Sequence, residues 1–525
     1  MAKTHFPKLN EKAHKGYVLN LKLNDDEAEW VNNCFTASRY AWNLFLSLNE
    51  YLYLDNMKKN HPDQFKELES KAYDNDNPKN SYRRQLQQFD EYTKYADNVE
   101  ALDAAQPQIE KALKRIEKYN ETHPEKPQPV EVAHLSDYDM KTIITELKKR
   151  HKGEDNYPLA LAHVAATVPR TAVGDLETAY QAFWRNLKQN PKRAGKPRFK
   201  SKFAAQACGF TEGVKRLALH QDHFGMLLAI PRIGEVEAHS KRHLPKGIVK
   251  TLRIVREPNG RLHASISLEQ KTATPLNLTK VQDNETIGLN MNYSDNVVTL
   301  SNGKTYQMDF AKLAHAQSRV DYWSKRLSVR KNHYDKEYAI LKDKLTKAKR
   351  LDQLPAYNPY TVSGVRKAQH ARANAHARLA NLRKYWWTQV VTELTRKYKV
   401  IYVPKYNVVS LKDKSQRNKK LLNLSGIGLL LPMLKSQARK NGCHIIETDS
   451  KFVTQTCHYC GEISTSVFGT KDHPKQYTKP TWTCEHCGKT LKLHENAAIN
   501  AKLMGLATFK DDQQAQAEYI AKHRK

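Results

Sequence analysis

Near its C-terminus the chain reads Thr454-Gln-Thr-Cys457-His-Tyr-Cys460-Gly461, then a polar stretch, then Trp482-Thr-Cys484-Glu-His-Cys487-Gly488. Two Cys-x-x-Cys knuckles, each closed by glycine, constrain the fold more than any other feature. Each knuckle brings two thiolates to one ion, and the glycine lets the backbone turn tightly behind them. Four sulfurs complete a tetrahedron and leave no position open for water, so the expected ion is a structural zinc, not a catalytic one. Chance spacing or a redox pair would not give two matched knuckles. The reading is a zinc ribbon over 454–490 with Cys457, Cys460, Cys484 and Cys487 as ligands.

The remaining composition points to a partner. With 525 residues the chain has room for two to four domains. A net charge of +32 and a pI near 9.6 imply a polyanion, most simply nucleic acid. An anionic membrane would ask for a basic amphipathic helix with a clean apolar face, or a spanning segment, and no apolar run is long enough to span. The start, Met1-Ala-Lys-Thr-His-Phe-Pro-Lys8, has no signal-peptide core. Cysteines outside the ribbon are scattered (Cys34, Cys208, Cys443) and suit a reducing compartment, so a cytoplasmic protein is expected.

Taken in order, Tyr17–Leu23 alternates like a half-buried strand, and Asn24-Asp-Asp-Glu27 caps a helix carrying Trp30, Phe35, Tyr40 and Phe45. Residues 51–150 are lysine-rich and helical in pattern. Pro169–Trp184 is a helix, followed by Arg185 and a basic run holding Lys192, Arg193, Lys196, Arg198, Phe199, Lys200 and Lys202. Cations around an aromatic ring suit phosphates and a stacked base. Residues 205–275 read as strands with a Pro258-Asn-Gly260 hairpin. Thr286–Asn292 and Val297–Leu300 form another strand pair, turning at Asn302-Gly303. Two long basic helices cover 311–350 and 362–398, and Val400–Pro404 is a buried strand.

The order of these elements resembles TnpB, the transposon-encoded RNA-guided nuclease, and the type V CRISPR effectors. The resemblance rests on His444-Ile-Ile-Glu-Thr-Asp449 before the ribbon and Asn496-Ala-Ala-Ile-Asn500 after it. It rests also on Thr286-Ile-Gly-Leu-Asn290, on Gly195-Lys-Pro-Arg-Phe-Lys-Ser-Lys202, and on Arg39-Tyr40. It covers roughly 15–48 and 165–505. It implies an α/β multidomain protein: an RNase-H-like RuvC domain (279–453 and 491–508) with the zinc ribbon inserted. A small β-barrel wedge domain (1–48 and 203–278), a helical recognition lobe (49–202) and a basic tail (509–525) complete the expectation. Arg39, Tyr40, Arg185 and the basic run are the implied nucleic-acid contacts.

The resemblance also shows what is missing. A RuvC-type nuclease works with two magnesium ions, which need converging carboxylates. In the family these are an Asp on the first strand, a Glu ending the middle strand and an Asp before Asn-Ala-Ala. The matching positions here are Asn290, Pro404 and His494. Asparagine keeps an acceptor but no charge, proline offers no side-chain ligand, and imidazole suits magnesium poorly. Glu495 is one residue off, so on a helix it points about 100° away; Asp295 and Asp449 belong to other points of the sheet. No catalytic magnesium is expected.

The expectation is a naturally nuclease-dead relative. It would hold a guide RNA, read a short motif beside its double-stranded DNA target, and repress by occupancy. Its other readings are guide-dependent recruitment of a transposition or transcription partner, and an active nuclease with relocated ligands.

Overall fold

The structure is a computed structural model. It describes residues 12–523 except 74–80, 128–129, 133, 155, 190, 192–193, 212–218, 222–225, 241–243, 245–247, 272–275, 293–295, 351–352, 356, 406–415 and 465–480. The chain divides into two compact units, with a boundary between Gln270 and Lys271. No helix among the described residues is long and apolar enough to cross a membrane.

In the first unit, β1 (Lys12–Lys22) leads into α1 (Asp25–Asn60). Asn24 accepts from the Glu27 amide and Glu27 returns a bond to the Asn24 amide, so a reciprocal cap fixes where the helix starts. Helix α1 serves two cores. Val31, Cys34, Phe35 and Ala37 pack on a sheet; Ala41, Phe45, Leu48 and Leu52 pack among helices. Helices α2 (Pro62–Tyr73) and α3 (Ser81–Asp90) pack on the end of α1 around Leu54 and Met57, while those of the second core are α4 (Ala96–Thr122), α5 (Asp137–Arg150) and α6 (Thr167–Gln189). The boundary expected at 48/49 therefore falls inside one unbroken helix.

The sheet adds β2 (Gln206–Phe210), β3 (Leu219–Gln221), β4 (Met226–Ile230), β5 (Gly234–His239), β6 (Ile248–Arg256) and β7 (Leu262–Lys271). Its order is β2-β6-β7-β1-β5-β4-β3. The expected closed barrel is corrected: among the described residues this is an open sheet, with β2 and β3 at its ends. The physical reason lies in α1 and α6. Helix α1 already covers the face a barrel would close over, and α6 lies against the β2 end. A Cβ added at Gly209 would come 2.5 Å from the Thr171 methyl. With its face and one end covered by helices, the sheet needs no closure.

In the second unit, β8 (Thr286–Met291), β9 (Asn296–Leu300) and β10 (Thr305–Gln307) form an antiparallel meander. Helices α7 (Phe310–Lys347) and α8 (Ser363–Lys397) follow, then β11 (Val400–Pro404), α9 (Gln416–Ser425), α10 (Leu430–Asn441) and β12 (His444–Thr448). The sheet runs β10-β9-β8-β11-β12, with β11 parallel to both neighbours. The ribbon hairpin, β13 (Thr481–Thr483) and β14 (Thr490–Lys492), leads into α11 (Leu493–His523), which runs through the expected tail boundary at 508/509.

Strands buried on both faces read as continuous apolar runs, and alternation divides the faces. Ile287, Leu289, Ile401 and Val403 meet Trp387, Val391 and Leu434 from the helices of one side. Val400, Tyr402 and Ile446 meet Phe509 of α11 on the other. On that second face a Cβ at Gly288 would lie 2.0 Å from the Ala498 carbonyl oxygen. Glycine there is what lets α11 lie directly on β8.

Candidate functional site

Helix α11 joins two polar sites. At the ribbon, Gly461 and Gly488 adopt φ of 79° and 65°, the left-handed conformation that suits glycine. Their amides donate to the Cys457 and Cys484 carbonyls, closing each knuckle. The four ligand sulfurs lie within 4.8 Å of one another. Cys457 and Cys487 sulfurs are 3.7 Å apart, as are those of Cys460 and Cys484. A tetrahedron with Zn–S of about 2.3 Å has sulfur edges of about 3.8 Å, so this donor set fits zinc. Cys457 and Cys484 are buried with Trp482, Leu491 and Leu493.

The Asn-Ala-Ala-x-Asn run gains a physical account here. Asn496 accepts from the His458 amide (3.1 Å) and donates to the Thr456 carbonyl (2.8 Å). Asn500 donates to the Thr456 and Val453 carbonyls at 2.6 and 2.9 Å. Both asparagines knit the first knuckle to α11, and the fully buried Ala497 and Ala498 let that helix sit against the sheet.

The second site lies at the C-terminal ends of β8 and β11. By alternation Gly288, Asn290 and Asn292 share the face that α11 covers, as do Val400, Tyr402 and Pro404. Tyr402 is level with Gly288, and the same register continued by two residues brings Pro404 level with Asn290. His494, in the first turn of α11, bridges the edge. Its Nδ1 lies 3.2 Å from the Asn290 amide and its Nε2 2.7 Å from the Asn292 amide. Both facing atoms are side-chain amide nitrogens, so a neutral ring accepts from one of them at its unprotonated nitrogen. Asn290 and His494, 204 residues apart, thus come together. Asn292 escaped sequence reasoning, although its place two residues after Asn290 on a strand was the available signal.

The nearby carboxylates point elsewhere. The Glu495 carboxylate lies beside Gly303 in the β9–β10 turn and 3.5 Å from the Lys492 ammonium. Asp449 is exposed beyond β12 and accepts from the Lys451 amide at 3.0 Å. Asp295 lies outside the described residues.

In the first unit the run after α6 is fastened to α1. The Trp42 indole N–H donates to the Arg198 carbonyl at 2.9 Å. Asn43 accepts from the Lys200 amide at 2.8 Å and donates to the Lys200 carbonyl at 3.0 Å. Lysine ammoniums sit by aromatic rings: Lys196 is 5.2 Å from Tyr53, Lys200 3.5 Å from Trp42 and Lys202 5.3 Å from Phe203. Burial pulls the Lys200 pKa down to about 8. Arg185, Arg198, Phe199 and Lys202 are exposed, while Lys192 and Arg193 lie outside the described residues. Arg39 is half-buried, which lowers its pKa. The Tyr40 hydroxyl donates to Asp97 at 2.9 Å, and burial raises its pKa. From the sequence Trp42 reads only as a core position of the helix, and Asn43 and Tyr53 do not stand out, because the anchoring is non-local.

The profile of the "Cas12f1-like, TNB domain" family matches residues 428–501, from just before α10 through the ribbon to Ala501. No curated protein sequence matches the chain. Among solved structures, "Cryo-EM structure of the Cas12f1-sgRNA-target DNA complex" is 11% identical with TM-score 0.39, covering 93% of this chain and 98% of that one. "Structure of the mini-RNA-guided endonuclease CRISPR-Cas_phi3" is 10% identical with TM-score 0.35, covering 94% and 92%. "Cryo-EM structure of CasPhi-2 (Cas12j) bound to crRNA" is 11% identical with TM-score 0.35, covering 96% and 99%.

Proposed function

We infer that this chain, a member of the TnpB and type V CRISPR effector family by its Cas12f1-like TNB domain, is an RNA-guided DNA-binding protein that occupies matched duplex DNA and does not cut it. One observation carries the reading. Asn290, Pro404 and His494, which the family resemblance matches to three carboxylates, belong to the strand ends and the start of α11, and His494 lies against the side-chain amides of Asn290 and Asn292. The strand order of the second unit, a meander extended by two parallel strands, supports the RuvC-like assignment. Two divalent ions side by side repel each other and are held only by several anionic oxygens. Neutral amides, a proline ring and an imidazole supply none. The Glu495 carboxylate lies beside Gly303 and Asp449 accepts from the Lys451 amide, which weighs against relocated ligands at these two residues.

In this reading the zinc holds the ribbon, and the basic run at 192–202 contacts guide RNA. The net charge of +32 serves both nucleic acids. Occupancy of a promoter would repress transcription.

The test begins with the RNA that co-purifies. Loaded with it, the protein should retard a duplex matching the guide and carrying the adjacent motif, and release it when mismatches are placed next to that motif. Binding that is indifferent to the RNA would refute the inference.

A further inference from the structure

Three rings in the first unit stand exposed, and two of them, Tyr53 and Trp184, have no role in the reading above. Tyr53 on α1, Trp184 on α6 and Phe199 in the basic run are 41%, 37% and 44% exposed. Glu50 on α1 lies within electrostatic reach of both Lys196 and Tyr180, which brings α1, α6 and the basic run together. Trp184 stacks on Tyr180 with ring centres 5.5 Å apart and meets His134 edge-on at 4.7 Å. Tyr53 lies 5.2 Å from the Lys196 ammonium. Phe199 sits between the two residues whose backbone Trp42 and Asn43 fasten to α1. Lys196, Arg198 and Lys200 come from the same stretch as Phe199. Rings kept partly in water on rigid supports and set among cations match the chemistry of unpaired nucleotides. A free base offers a face for stacking and a phosphate for the cations, whereas bases in a duplex are already stacked on each other.

We propose that Tyr53, Trp184 and Phe199, with Lys196, Arg198 and Lys200 among them, form a platform on which unpaired bases of single-stranded RNA stack. The proposal rests on the nucleic-acid part of the reading above and is independent of whether the protein cuts DNA. It adds which kind of RNA segment is held, and by stacking as well as by charge.

The test uses the full chain freed of co-purified RNA, a fluorescein-labelled 15-nucleotide single-stranded RNA of mixed sequence, and a blunt duplex of the same sequence. Trp184→Ala, Phe199→Ala and Tyr53→Ala should each weaken single-strand binding by about 5- to 100-fold, the range that loss of one base–aromatic stack gives. Their salt dependence should stay unchanged, because no cation is removed from a phosphate. Duplex binding should stay within about twofold, since stacking requires a free base face. Trp184→Tyr, which keeps a ring, should retain most of the affinity, and this exchange separates stacking from a folding defect. Unchanged single-strand affinity in all three alanine variants would overturn the platform, as would an equal loss on the duplex. If the unmodified chain bound no RNA, the nucleic-acid reading itself would fall.

Discussion

The ribbon and the strand-end edge hang on the same helix, yet they are built on opposite terms. At the ribbon, four sulfurs converge at the edge lengths of a tetrahedral zinc site. At the edge, an imidazole lies between two side-chain amides. A structural metal is part of folding, so its ligands cannot change without unfolding what they hold. A catalytic metal is dispensable to folding, and buried carboxylates brought close together repel until an ion arrives. In the proposed reading, neutral side chains in their place leave α11 fastened to β8 with no ion required. The two positions therefore report different things: the ribbon on architecture, the edge on chemistry.

This contrast breaks first at the zinc. Cys484→Ser should release the metal and unfold the ribbon, since structural zinc contributes about 10–16 kcal/mol of folding free energy in small zinc domains. Metal analysis should find one zinc per chain before the change and none after; soluble, folded starting protein without zinc would contradict the ribbon.

The seam between helix and sheet comes next. Gly288→Ala would drive a Cβ to 2.0 Å from the Ala498 carbonyl oxygen, a backbone atom that cannot swing aside. A loss of about 3 kcal/mol in denaturant unfolding is expected. An unchanged midpoint would mean that α11 does not lie on β8 as described.

At the edge itself, His494→Ala removes the imidazole's contacts with both asparagines and should cost about 2 kcal/mol, read from the same unfolding curves. No loss would make the imidazole a bystander.

The smallest effect is electrostatic. The Lys200 pKa is lowered to about 8 by burial, so the loop loses a positive charge as pH rises through 8. RNA affinity should therefore fall between pH 7 and 9, and Lys200→Arg should flatten that dependence, because a guanidinium stays charged throughout. Reversing the charge of Arg198, Lys200 and Lys202 together should lower the salt slope by about 0.7 for each single-strand phosphate that is no longer neutralised. An unaltered slope would remove the loop from the interface.

What the sequence disclosed follows the range of the interaction. Knuckle spacing, the Asn302-Gly303 and Asn259-Gly260 turns, and the two long helices are local patterns, and each appears where its residues predict. The resemblance pointed to Asn290 and His494, which the structure brings together, but the contact from His494 to Asn292 spans 202 residues and left no local trace. The barrel implied by the resemblance is an open sheet among the described residues; alternation marks a strand's two faces and is silent on what covers them. Only the helix packing of Phe35 and the Gly209–Thr171 approach decide that. Helix α1 hid its double role for the same reason: one continuous pattern from Val31 to Leu52 feeds two cores.

The central claim is binding without cutting, and strand scission measures it most directly. A matched duplex labelled on both strands, held in excess guide-loaded protein with magnesium or manganese, should be fully bound and wholly intact on a denaturing gel, and Asn290→Asp alone should leave it so. Guide-dependent cleavage of either strand by the unmodified protein would contradict the account and turn attention to Asp295, Asp449 and Glu495.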